Sequence, residues 1–225
     1  MTPRPIEYLL EDTSEKRLID LTCIGFADET ASESPAPGGG SVSAYIGALG
    51  VSLGTMVANL SSHKAGWDDR WEEFSDWAEK GQKIKDELLY LVDEDTRSFN
   101  RLMEVFGLPK DTEEEKKIRT DAIQGATKYA IEVPLQTMKK SMEVFDIIQA
   151  MVETGNPNSV TDAGVGALCA RSAVNGAFLN VKVNASSVKD KAYVEDILKK
   201  GEEMVAKAKA REEEILELVS RKIEE

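Results

Sequence analysis

The chain of 225 residues is 41% hydrophobic and carries 41 acidic against 28 basic side chains, a net charge of −13. That length and apolar share suffice to bury a sizeable core in one domain. The acidic balance argues against a nucleic-acid partner, whose phosphates need a basic surface; it leaves room for a small anion held by a local cluster of cations.

Taken in chain order, helical spacing dominates and strand alternation is almost absent. Asp12 with Glu15 resembles a capping box opening a first helix that runs to about Thr30. A Pro/Gly loop, Ser32–Gly40, precedes an uncharged helix that ends near Ser62. After the link His63–Gly66, a long helix is predicted from Asp68 to Phe106, stopped by Gly107 and Pro109. Asp111, Thr112 and the acids Glu113–Glu115 cap and charge a fourth helix, which runs to about Glu153 with a kink expected at Pro134. The loop Gly155–Thr161 opens a fifth helix of small residues reaching Asn184. A sixth, from Lys189 to Lys222, sets Val194, Leu198, Val205, Ala208, Ile215 and Val219 at helical spacing.

The reading is therefore all-α: one domain over residues 1–225, an elongated bundle of about six helices. A helix over residues 68–106 is about 58 Å long at 1.5 Å per residue. A compact globule of this length is only about 45 Å across. The longest helices overhang such a globule, and pairing with a second copy through uncharged surfaces, a homodimer or larger, is the expected remedy. The uncharged stretch Ser41–Leu60 has the length of a membrane span, but its Gly47, Gly50 and Gly54 suit a central helix closely packed by others. Cys23 and Cys169 have no ligand-like spacing and fit a reduced, cytoplasmic setting. The segment Met1–Pro5 lacks a signal-peptide apolar run.

Three segments are candidates for chemistry. In Ser34–Ser43, prolines stiffen the approach, and Pro37 leads into Gly38, Gly39, Gly40 and Ser41, whose backbone N–H groups open a helix. A helix N-terminus of this kind is a ready anion site, though a plain loop feeding a close-packed helix explains it equally. In Leu91–Phe99, the stripe Trp71, Phe74, Ala78, Gly81, Ile84, Leu88, Leu91/Val92 continues through position 95 to Phe99, Leu102 and Phe106, so Asp95 falls among apolar neighbours while Asp93 falls off the stripe as an ordinary surface charge. Burying an unpaired carboxylate costs several kcal/mol; Asp95 is then either ion-paired or kept protonatable for function, and the second is favoured. In Gly155–Gly166, Asp162 sits in a helix's first turn, where capping alone explains it. Asn175, Asn180 and Asn184 are amides in an apolar helix that need partners, from the backbone or from a polar heterocycle. Lys64, Arg70, Lys110, Arg171 and Lys182 are the candidate cations. With His63 the sole histidine, a histidine metal cluster or a Ser-His-Asp arrangement is excluded.

Together these segments resemble the cyclodeaminase domain of formiminotransferase-cyclodeaminase and the related bacterial methenyltetrahydrofolate cyclohydrolases. The most specific feature is Ala36-Pro37-Gly38-Gly39-Gly40-Ser41-Val42 before a small-residue helix; Leu91-Val92-Asp93-Glu94-Asp95 with Phe99 follows. Leu108-Pro109-Lys110, Val133-Pro134-Leu135, Gly155-Asn156 and Asn180–Asn184 extend the likeness along the chain. Ile6-Glu7-Tyr8-Leu9 resembles the segment opening this domain in bifunctional enzymes, which tilts the reading towards cyclodeaminase. His63–Trp67 matches the family's Gly-Lys turn only loosely, and Asn184-Ala185 departs from the usual Asn-Leu.

The resemblance implies an all-α dimer with a tetrahydrofolate derivative as substrate, no metal, and a site near the subunit interface. The expected reaction closes 5-formiminotetrahydrofolate to the 5,10-methenyl compound with release of ammonia. The alternative is hydrolysis of the methenyl bridge to 10-formyltetrahydrofolate, and a rival from another class is a non-catalytic folate-binding or scaffold subunit. A formiminotransferase domain or subunit is a further partner. On this reading Asp95 is the acid/base group and Asp162 its partner. The glycine loop with Ser41 holds the pterin or a carboxylate, Lys64 and Lys110 attract the anionic tail, and Asn184 contacts the heterocycle.

Overall fold

The computed structural model describes residues 17–224, which form six α-helices, three short 3-10 turns and no strand. Helix α1 spans Cys23–Thr30, α2 Gly39–Ser62, α3 Trp71–Phe106, α4 Glu113–Thr154, α5 Val160–Ala185 and α6 Lys191–Glu224. Chain-order expectations hold to within a few residues except at the start. Asp12 and Glu15 lie outside the described residues. Inside them the chain makes a 3-10 turn at Leu18–Asp20 and extends through Leu21, and α1 begins only at Cys23, capped by the Thr22 hydroxyl on Gly25 N–H at 3.0 Å. A hydroxyl cap at position 22 wins locally over the expected continuous helix. The fourth start is as expected: Thr112 and Glu115 form a reciprocal capping box.

Helix α2 is the axis of the bundle, packed by α3, α4 and α5, with α6 outside against α4 and α5. Small residues make this possible. The bare Cα of Gly50 faces the carbonyl of Gly166, so α2 and α5 cross almost backbone to backbone. Gly39 faces Asn180, and Gly176 faces Ser43; α2 and α5 are therefore antiparallel. Gly47 faces Leu88 and Gly81 faces Thr55, which makes α3 antiparallel to α2 as well. The helix is long and apolar enough to cross a membrane by composition, but 61% of its most apolar window is buried inside the bundle.

The α3 stripe Phe74, Ala78, Gly81, Ile84, Leu88, Leu91 and Val92 is buried. Trp71 and Phe106 at its two ends are exposed, since periodicity reads the face of a helix but not where its neighbours stop. Helices α3 and α4 are about 54 and 63 Å long at 1.5 Å per residue. Helix α4 runs unbroken through Pro134. Proline offers no N–H to the carbonyl four residues back, here that of Ala130. The Asn184 side chain, on α5, donates its Nδ2 to that carbonyl at 2.7 Å.

Candidate functional site

The N-terminus of α2 meets the C-terminal half of α3. Gly38 precedes α2 without a side chain to cap it. The cap comes from across the bundle: Oδ2 of Asp95 accepts the Ser41 N–H at 2.8 Å and the Ser41 hydroxyl at 3.0 Å. Gly40 is required beside it, because a Cβ there would overlap the carboxylate. The helix end expected to hold an external anion thus has one of its N–H groups engaged by the protein's own carboxylate. Asp95 lies above the ordinary carboxylate range: burial raises it, and the two hydrogen bonds from Ser41 only partly offset this.

Asp95 lines a cleft of about 210 Å³. Its walls are Gly38 and Gly39 from the loop, Phe99 and Leu102 from α3, and Asn180 and Asn184 from α5. Thr96, Ser98, Pro35, Ala36 and Ala130 complete it. One wall is apolar, the other presents amides and hydroxyls, and a carboxylate stands between them. That mixture suits a flat heterocycle with a polar edge.

Three consecutive acids on α3 fan out to three neighbours, because successive helical side chains point about 100° apart. Asp93 accepts the Leu18 N–H at 2.6 Å. Glu94 accepts the Tyr129 hydroxyl on α4 and pairs with Arg97 at 3.3 Å. Asp95 faces α2. The expectation that Asp93 is a surface charge is wrong: it is 7% exposed, and burial raises its carboxyl. Its partner is the turn at Leu18–Asp20, which periodicity along α3 does not reveal. Burial pushes Glu94 up too, but the bonds from Tyr129, Tyr90 and Arg97 outweigh it and leave it lowered. Tyr129 is pushed up to about 12 by burial and by Glu94.

The site residues expected from sequence divide between the two ends of the bundle. Gly38, Gly39, Asp95 and Asn184 meet in the cleft, with Gly40 and Ser41 against Asp95. Pro37 is buried behind the loop. Asn184 gives its amide nitrogen to Ala130. Lys110 is exposed in the α3–α4 turn, on the same end but not among the lining residues. Lys64 follows the far end of α2, about 35 Å from Ser41 along the helix, with its ammonium over the Trp67 ring at 4.0 Å. Asp162 lies about 27 Å along α5 from Asn180, so a single chain does not bring it to Asp95. The other candidate cations have structural partners: Arg171 pairs with Glu212 at 2.6 Å, and Lys182 lies over Phe178. Two cations that the sequence reading passed over, Arg97 and Arg101, follow Asp95 on α3: the first pairs with Glu94 at 3.3 Å and the second lies over the Tyr129 ring at 5.1 Å. Their spacing of four, directly after the acids, was the available signal. Among the described residues no cluster of acids, cysteines and histidine could hold a metal ion.

Residues 22–203 match the family model described as formiminotransferase-cyclodeaminase. A methenyltetrahydrofolate cyclohydrolase of Methylorubrum extorquens is 38% identical over 88% of this chain and 95% of its own. A formimidoyltransferase-cyclodeaminase of Mus musculus is 33% identical over 85% of this chain, which spans only 36% of that longer protein. Among solved structures, formiminotetrahydrofolate cyclodeaminase from Thermotoga maritima superposes with a TM-score of 0.75 at 25% identity, covering 92% of this chain and 98% of that one.

Proposed function

We propose that this chain, which belongs to the formiminotransferase-cyclodeaminase family, makes or breaks a carbon–nitrogen bond at the one-carbon group of a substituted tetrahydrofolate, with Asp95 moving the proton. The observation that carries the reading is a carboxylate raised by burial, fixed at a helix end and lining a cleft with amides opposite. A raised carboxyl is closer to neutral pH, where one group can both accept and return a proton. The cleft is smaller than the roughly 300–1,000 Å³ of most ligand pockets. It fits the pterin part of the substrate, with the remainder lying along the outer surface or against a second copy.

Two reactions fit this site equally. In ring closure, N10 of 5-formiminotetrahydrofolate, protonated on its imino nitrogen, attacks the formimino carbon; Asp95 takes the N10 proton and passes it to the resulting amino group, which leaves as ammonia. Formation of the N10–carbon bond and loss of the carbon–amino bond give the 5,10-methenyl cation. The likeness to the two cyclodeaminases supports this reading, and it implies a formiminotransferase as the supplier of substrate. In hydrolysis, water adds to the methenyl carbon, Asp95 takes one water proton and returns it to N5 as the carbon–N5 bond breaks, and the hydroxyl proton is released to solvent as the 10-formyl carbonyl forms. The 38% identity to a cyclohydrolase along nearly its whole length supports this second reading.

Turnover with both folates separates them: ammonia release from the formimino compound marks the first, loss of the methenyl chromophore the second. Asp95→Asn retains an acceptor for Ser41 and removes the proton carrier. We expect turnover to fall by about 10²-fold or more, with thermal stability little changed, since a neutral amide is easier to bury than a charge. Full activity of that variant would move the proton step to another residue; no turnover of either folate by the unaltered protein would leave a binding subunit.

A further inference from the structure

We propose that Ser41 is a positioning residue that divides the work of the Asp95 carboxylate between its two oxygens, holding Oδ2 fixed and leaving Oδ1 to carry the proton. This deepens the reading of Asp95 as the acid/base group and rests on it. Among the described residues the hydrogen bonds to this carboxylate all fall on Oδ2: the Ser41 N–H at 2.8 Å and the Ser41 hydroxyl at 3.0 Å. Oδ1 receives none of them, and it is the carboxylate atom that a Cβ at Gly40 would meet first.

An oxygen that already accepts two hydrogen bonds has its lone pairs engaged and a lower proton affinity. The neutral acid therefore carries its proton on Oδ1. The same two bonds, one from backbone and one from a fully buried side chain, stop the carboxylate from turning about its Cβ–Cγ bond. In either reaction the oxygen that receives a proton from the attacking nitrogen or water is then the one that returns it to the departing nitrogen. No rotation intervenes between the two transfers. Gly40 belongs to the same device, because any side chain there would displace the whole carboxylate, Oδ1 first. The Ser41 hydroxyl also lies 3.5 Å from that of Thr96, a cleft-lining residue. Ser41 is thus held from the α3 side at two successive positions.

The test uses the full-length protein and whichever of the two folates it turns over. Ser41→Ala keeps the backbone bond and deletes the hydroxyl. Losing a donor to a charged acceptor should lower kcat about tenfold, the scale of such a bond, and leave KM within about twofold. Because that donor lowers the Asp95 carboxyl, its loss should move the acid limb of the kcat/KM profile to higher pH. Ser41→Thr, which retains a hydroxyl, should keep the limb in place, and Gly40→Ala should lose activity with helicity intact by circular dichroism. A Ser41→Ala enzyme with unchanged kcat and an unmoved acid limb, alongside an inactive Asp95→Asn, would overturn the role of Ser41 alone. An active Asp95→Asn would overturn the role of Asp95 and this one with it. A rise in KM with kcat and the acid limb unmoved would make Ser41 a substrate contact instead.

Discussion

Asp93 and Asp95 are two residues apart on one helix, and burial raises both carboxyls. Their partners set their tasks. Asp95 faces a cleft, whereas Asp93 holds the chain segment that enters the bundle at Leu18. A carboxyl that is raised on folding binds more protons in the folded state across the window between its unfolded and folded values. It therefore favours the fold most at pH below that window, and this advantage is lost as pH rises through it. Asp93→Asn keeps an acceptor for the Leu18 N–H and removes the charge. We expect this variant to be more stable than the parent at pH 7 in chemical denaturation, and the gap to close near about pH 3, where the carboxyl is protonated in both states. A gap that widened towards low pH would show that Asp93 is stabilised as an anion. Sequence spacing was enough to find Asp95 as a carboxylate among apolar residues. It could not find Asp93, because a helix stripe carries no information about a turn seventy-odd positions earlier.

At the level of elements, the bundle was legible because helix caps, small-residue stripes and apolar periodicity are local signals. The expectation at Pro134 was local in the same way and says nothing of what a neighbour does there. The Ala130 carbonyl, which Pro134 cannot serve, accepts the Asn184 amide from α5. This ties α4 to α5 at the wall of the cleft and gives Asn184 a structural task beside any contact with substrate. Asn184→Ala should destabilise the protein by about 1–3 kcal/mol, the cost of an unsatisfied buried acceptor. In a Pro134→Ala background the backbone N–H at position 134 returns to Ala130, and the same change at 184 should cost much less. Equal losses in both backgrounds, measured by urea unfolding as a double-mutant cycle, would separate the two residues. Lys64 and Asp162 lie at the other end of the bundle from Asp95 within one chain, which spacing could not show: motif order along a chain does not say which end of an antiparallel bundle a motif reaches.

For the whole molecule, the central helices α2 and α5 leave apolar side chains uncovered: Leu49, Met56 and Leu60 on one, Val165, Leu168 and Val183 on the other. The stripes lie side by side, since α2 and α5 pack closely along their length. A face of this kind on the most buried pair of helices fits a second copy of the same chain. Light scattering should give about twice the 24.7 kDa of one chain, and Leu168→Glu should yield a folded monomer. An active, monomeric parent protein would refute the assembly. The fan of acids on α3 bears on how such a molecule can change over generations. Deleting one residue from the first half of α3 would turn the second half by about 100°. Asp95 would then face Tyr129, and Thr96 would face Ser41. Every carboxylate would be present and every one would be misdelivered. Substitutions along this helix can be tried one at a time, but its residue count is inherited whole, so insertions and deletions in descendants of this chain should gather in the turns at 63–70 and 107–112.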